Sequence, residues 1–367
     1  MLKTFGWAIG LTVLALFVAV LFGSPQAALI VLLLGVLEIS LSFDNAVVNA
    51  KVLNRMHPAW QRLFLTVGIV IAVVGMRLVL PIVIVAVSAS LSIPDVIDLA
   101  LNNADAYGRE LESSKALIYA FGGTFLLMIF LDFMFDRDRD VLWITPVEKA
   151  LQKIGGLDGL SVLLALGGVL FMSRIVAVEE TEQVLVAGIV GLLVYLAVNG
   201  LDGLFEASME HREDPTGAVP EAIRGKKMTM AIFKAGVFSF VYLEVLDASF
   251  SFDGVIGAFA ISNEVLVIAL GLGIGAFWIR SLTIYLVRAG TLAEYVYLEH
   301  GAHWAIGVLA GIMLLSVHFQ IPDVITGLTG VGFIALALLS SLRERKRGAA
   351  GDIDVGAPGA APGDAPR

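Results

Sequence analysis

Two short stretches place carboxylates among residues that are otherwise almost all apolar. Residues 36–44 read Val-Leu-Glu-Ile-Ser-Leu-Ser-Phe-Asp and are followed by Asn45. Residues 245–253 read Val-Leu-Asp-Ala-Ser-Phe-Ser-Phe-Asp and are followed by Gly254. Six of the nine positions are identical, and one of the others exchanges Glu38 for Asp247. An ionised carboxylate at the centre of a helix in lipid costs about 2.5–3.5 kcal/mol on insertion scales. Glu38, Asp44, Asp247 and Asp253, with Glu244 a turn ahead of the second copy, therefore need either a partner or a task.

The groups on offer are carboxylates, the hydroxyls of Ser40, Ser42, Ser249 and Ser251, the amide of Asn45 and main-chain carbonyls. All are hard oxygen donors. They suit Mn²⁺, Ca²⁺ or Mg²⁺, whereas Cu⁺ asks for sulfur and Zn²⁺ usually takes Cys or His. The chain has no cysteine, which removes thiolate sites, disulfides and thiol redox chemistry. On an ideal helix, residues six apart lie about 120° apart around the axis, so the two acids of one motif would not share a face. A break at Ser-Phe-Asp-Asn and at Ser-Phe-Asp-Gly would let them converge with freed carbonyls. Asn45 and Gly254 tolerate the backbone angles a break requires, and broken helices are accommodated where they line a cavity.

Downstream of each motif, Gly68–Arg77 matches Gly271–Arg280, at an offset of 203 residues against 209 for the motifs. Arg77 and Arg280 are expected as counter-charges, since cations do not coordinate guanidinium. With the four motif carboxylates they leave a net charge of −2, matching one divalent cation. A buried acid can also pair with an arginine simply to fix helix register. A duplicated acid-Ser-Ser-Asp pattern asks for more than that, although each serine alone fits packing with its hydroxyl bonded back to its own helix.

These residues must be positioned by membrane-spanning helices. Of 367 residues 58% are hydrophobic and 16% charged, with a mean hydropathy of +0.89. The apolar residues fall in runs long enough to cross a bilayer, which excludes a soluble enzyme, a nucleic-acid binder and a secreted domain. The expected fold is an all-α polytopic membrane protein of about ten spans, near 5–23, 27–49, 62–89, 116–135, 158–178, 184–207, 230–261, 264–287, 301–318 and 324–342. The first run is longer than a signal-peptide core and lacks a cleavage site, so it reads as a retained helix.

Lys and Arg alternate between loops. About 19 fall on one side and two, Arg109 and Lys115, on the other, which places both termini in the cytoplasm. The net charge of −9 suggests no polyanionic partner. Residues 1–207 form a first membrane half with its repeat at 36–77, and 208–229 a cytoplasmic linker. Residues 230–342 form a second half with its repeat at 245–280, and 343–367 a basic and then disordered tail. Segment 90–115 reads as an ordinary solvated loop. The two copies lie five spans apart and so cross in opposite directions, as in transporters that bind substrate near the midplane between inverted repeats.

Other polar residues have plainer readings. Asn199, Asp202 and Glu206 fit a solvated helix end, Asp132 an interface, and Arg174 a pair with Glu179 or Glu180. Glu299, His300 and His303 lie at a loop-to-helix boundary without the His-Glu-x-x-His order of a zinc protease.

At the two Ser-Phe-Asp motifs the chain resembles the TerC superfamily of integral membrane proteins. Glu299-His-Gly-Ala-His-Trp-Ala-Ile-Gly307 and Phe121-Gly-Gly-Thr-Phe-Leu-Leu-Met-Ile-Phe-Leu-Asp132 look closer to a bacterial subgroup labelled only "domain of unknown function 475". The resemblance spans about residues 25–342. It implies an exporter in the bacterial inner membrane, associated with manganese efflux and tellurium resistance, with Glu38, Asp44, Asp247 and Asp253 as the motif acids. Gly254 departs from the Asn usual in that family. No nucleotide-binding domain is read in the sequence, so ATP-driven transport is not expected; an intramembrane enzyme is not expected for want of a nucleophile–base constellation, nor is a resident cofactor. A proton antiport would be natural, because clustered carboxylates share protons when the cation leaves. The alternative is a non-transporting membrane scaffold in a metal or tellurium stress-response complex.

Overall fold

The structure, a computed structural model, describes residues 2–157, 159–209, 230–262, 264–289, 295–319 and 321–353, some of them by backbone alone. No strand occurs among the described residues. Helix α1 (Leu2–Phe22) runs to Gly23, after which Ser24 accepts from the Ala27 N–H at 3.1 Å and Pro25 opens α2 (Pro25–Leu41). That combination of a side-chain cap and a first-turn proline starts a helix without wasting a backbone donor. α2 stops at Ser42, and α3 (Phe43–Arg55) leaves at 56° to it. The break expected in the first motif is therefore present.

Pro58 opens α4 (Pro58–Val70), which passes into a π-helical segment (Ile71–Val79) and then α5 (Leu80–Ser88). Segment 90–115 is not a plain loop. It folds as α6 (Ile93–Asn102) and α7 (Ala104–Ser113), capped by Ser92 and Asn103, and buries Val96, Ala100, Tyr107 and Leu111. The helical apolar period of Val96 and Ala100 was hidden by the surrounding acids.

There follow α8 (Lys115–Phe135), the short α9 (Thr145–Ile154), α10 (Leu160–Ile175) and α11 (Thr181–Met209). The second half holds α12 (Met230–Ile261), α13 (Val265–Ala289), α14 (Leu298–Ser316) and α15 (Asp323–Ile353). Among the described residues seven helices are long and apolar enough to cross a membrane, or eight if α2 and α3 form one span. α10, with 16 residues, is apolar but shorter. α15 continues through the basic run and the start of the tail; residues 354–367 and the linker 210–229 lie outside the described residues.

α12 departs from expectation, because it is one continuous helix through the second motif. Ser249 donates to the Val245 carbonyl at 3.0 Å, one turn back, and so keeps to the helix rather than facing a ligand. The motif helices interlock. α2 packs along α13, while α12 packs on the π-helical segment and α4. Each motif thus lies against the helix that follows the other motif.

Candidate functional site

The site is assembled around Glu38, which is 1% exposed. Its Oε1 accepts from the Ser42 hydroxyl at 3.0 Å and pairs with Arg77. Arg77 projects from the π-helical segment and also donates to the Ala72 carbonyl at 2.6 Å. Arg77 thus brings a guanidinium from the segment after the first motif onto that motif's first acid. The other carboxylate oxygen, Oε2, is buried without a hydrogen-bond partner. It faces α12 where Gly254 has no side chain, and a Cβ there would overlap it. On the adjacent α13, a Cβ at Gly275 would overlap the Cβ and Cγ of Glu38. Gly254 thus opens space for an acid instead of bending its own helix, the role foreseen for it.

The second motif makes the mirrored approach. Asp247, which aligns with Glu38, accepts from the Asn45 side chain at 2.7 Å. Asn45 aligns with Gly254. Each motif's first acid therefore meets the residue that follows the other motif's last acid. Asp247 Oδ2 has no partner.

Glu244 and Arg280 converge from α12 and α13 on Gly68 of α4, where a Cβ would stand 2.7 Å from a nitrogen of one and an oxygen of the other. Both Glu244 oxygens lack hydrogen-bond partners. Arg280 donates to the Phe64 carbonyl and lies over the Phe64 ring at 4.0 Å, with no carboxylate in ion-pair range among the described residues. Glu244 also borders a cavity of about 1030 Å³ between the π-helical segment, α5, α8, α11 and α12, whose walls are otherwise mostly apolar.

The serines divide. Ser42 reaches Glu38, and Ser251 is buried with its hydroxyl unpartnered. Ser40 and Ser249 donate to carbonyls one turn back. The side chains of Asp44 and Asp253 lie outside the described residues, as do those of Asp202 and Glu206. Among the described residues no group of three or more His, Asp or Glu is placed to hold a metal ion. Asn49, one turn beyond Asn45 on α3, is buried with its Oδ1 unpartnered. The Asn-x-x-x-Asn spacing was the sequence signal for it.

A second polar centre lies at one end of the bundle. Glu148 of α9 is fully buried and accepts from the Trp304 indole at 3.0 Å and from the Trp143 and Ile144 N–H groups, each at 3.2 Å. It also bonds the His300 ring at 2.9 Å and stands 3.6 Å from Arg139. Burial alone would raise the Glu148 pKa, but the hydrogen bonds from His300, Trp304 and Ile144 outweigh it and hold it down at about 2. Burial lowers the pKa of Arg139, partly offset by Glu148, Asp136 and Glu299. His303 stacks on Phe133 at 3.6 Å, and Glu299 pairs with Lys51 of α3. Glu299, His300 and His303 thus belong to a tertiary network and not merely to a helix boundary. Asp132, near the end of α8, accepts from the Tyr195 hydroxyl at 2.7 Å. Arg174 makes no ion pair with Glu179 or Glu180.

The apolar helices and the buried polar centres define a polytopic helical membrane protein. The chain belongs to the family described as protein of unknown function (DUF475), which matches residues 43–348. It is also similar to an uncharacterized membrane protein, YceF, of Bacillus subtilis (strain 168), at 31% identity over 113 residues, or 30% of this chain. The chain spans less than half of that relative, 42% of its length. No solved structure matches the chain.

Proposed function

We propose that this protein is a transporter that exports a divalent metal cation, Mn²⁺ in the first place, from the cytoplasm across the bacterial inner membrane. The observation that carries the reading is the reciprocal approach of Glu38 to Gly254 and of Asp247 to Asn45. It leaves Glu38 Oε2 and Asp247 Oδ2 buried without partners. A structural ion pair needs no such spare oxygens, because a buried acceptor left unsatisfied costs about 1–3 kcal/mol.

Hard oxygen donors at the meeting of two similar segments suit a hard cation, and an inverted pair of segments suits alternating access. The TerC resemblance points to the same cargo. Both termini are read as cytoplasmic, the carboxylates are read as sharing protons when the cation leaves, and no bond-making chemistry is assigned to the chain.

The test is cellular manganese content under Mn²⁺ stress, by elemental analysis at matched membrane abundance. Cells lacking the protein would carry the wild type, Glu38→Gln, Asp44→Asn, Asp247→Asn or Asp253→Asn. Lower manganese with the wild type alone is expected. Equal manganese in every strain would remove Mn²⁺ as the cargo. No change in any metal in the same run would leave the scaffold reading in its place.

A further inference from the structure

The surface of α9 is independent of the transport site. One side of this helix is fastened to the bundle through Glu148. Gln152 adds bonds to the carbonyls of Asp136 and Arg139 at 2.9 and 3.0 Å. Arg137 donates to the carbonyls of Gln152 and Lys153, each at 3.3 Å, and so closes the C-terminal end of the helix. The position of α9 is therefore fixed by the bonds of Glu148, Gln152 and Arg137.

The opposite side is exposed and divided lengthwise. Val147, Ala150 and Ile154 form an apolar edge, and Lys149 and Lys153 form a cationic edge about a third of a turn away. Beside the cationic edge opens a concavity of about 560 Å³ lined by Arg137, Lys149, Ala150, Gln152 and Lys153. It contains three cations and no carboxylate. Neither lysine makes an ion pair among the described residues. Two apolar helices flank this surface, since α8 ends at Phe135 and α10 begins at Leu160, with exposed Leu157 just ahead of it.

We propose that this face binds the headgroup of an anionic phospholipid. The phosphate occupies the concavity among Arg137, Lys149 and Lys153, while Val147 and Ile154 lie in the boundary with the acyl chains. A helix with an apolar edge, a cationic edge and a fixed place between two apolar helices meets the requirements for lying in the membrane interface. Lipid supplies both complements at once, whereas a free anion would leave the apolar edge in water.

The test uses the full chain in neutral detergent, with bound phosphatidylglycerol and phosphatidylcholine counted by native mass spectrometry. The wild type is expected to retain phosphatidylglycerol in preference. Lys149→Gln with Lys153→Gln is expected to weaken that retention about thirtyfold, each lysine near an anionic surface being worth about fivefold. Lys149→Arg with Lys153→Arg should keep it, which separates lost charge from lost folding. Val147→Ser with Ile154→Ser should weaken it while leaving the cations in place. Equal retention of the two lipids by the wild type, or unchanged retention in the glutamine variant, would overturn the proposal. Displacement by millimolar inorganic phosphate as readily as by lipid would also overturn it, by making the concavity a site for a free anion.

Discussion

Asn45 on α3 donates its side-chain amide to Asp247 on α12 at 2.7 Å, across 202 residues of sequence. The bond ties the first residue after one motif to the first acid of the other. Hydrogen bonds to charged groups contribute about 1.5–3 kcal/mol. Asn45→Ala should lower the thermal midpoint of the detergent-solubilised protein, and Asn45→Asp should lower it further by setting a second carboxylate against Asp247. An Asn45→Asp variant as stable as the wild type at neutral pH would show that the contact is not formed.

The Glu38–Arg77 pair is buried on both sides, so removing one partner strands the other charge. Arg77→Met should destabilise by about 3–5 kcal/mol, and adding Glu38→Gln should return much of that loss. Unfolding of the two single variants and the double variant measures the coupling. Additive losses would mean that the two charges do not meet.

Gly254→Ala places a methyl group against Glu38 and should cost about 1–3 kcal/mol through overpacking. In a Glu38→Ala background the same substitution should cost much less, because the opposing oxygen is gone. Equal costs in the two backgrounds would locate the strain elsewhere. The serine control is Ser40→Ala, whose hydroxyl bonds only the Val36 carbonyl and whose loss should be close to neutral.

The Glu148 network carries a pH signature. Its folded pKa, about 2, lies below the ordinary 4.5, so its contribution is complete above pH 4.5 and is lost as the pH falls through 2. The midpoint of unfolding should drop across that window, and Glu148→Gln should flatten the drop. Fluorescence of Trp304, whose indole bonds this carboxylate, reports the same step. A wild-type profile identical to that of Glu148→Gln would remove the network as its source.

The sequence was most informative where chemistry repeats along it. An acid and a later arginine recurred in both halves, and the first of these pairs, Glu38 with Arg77, is formed. Ser42 breaks its helix as the crowded polar run suggested. The matching run gave no break in α12, where Ser251 stands in the place of Ser42 and Gly254 is occupied by the approach of Glu38. Glu148 and His300 were beyond reach for another reason. They stand 152 residues apart, and neither sits in a repeated or periodic pattern that would pair them. The motif aspartates Asp44 and Asp253, the other half of the expected site, lie outside the described side chains.

The π-helical segment (Ile71–Val79) turns chain length into an electrostatic setting. A π-helical turn holds one more residue than the α-helical turn it replaces. Refolding the same residues as a regular α-helix would swing the guanidinium about 100° around the axis, away from Glu38, whereas losing one residue in that change would restore its direction. In the other half, α13 carries Arg280 on an uninterrupted α-helix, so the two arginines are phased by different means. A one-residue loss among Ile71–Met76 should therefore be tolerated better than a one-residue gain. A relative one residue shorter between Gly68 and Arg77 should carry its arginine in the same direction on a regular α-helix.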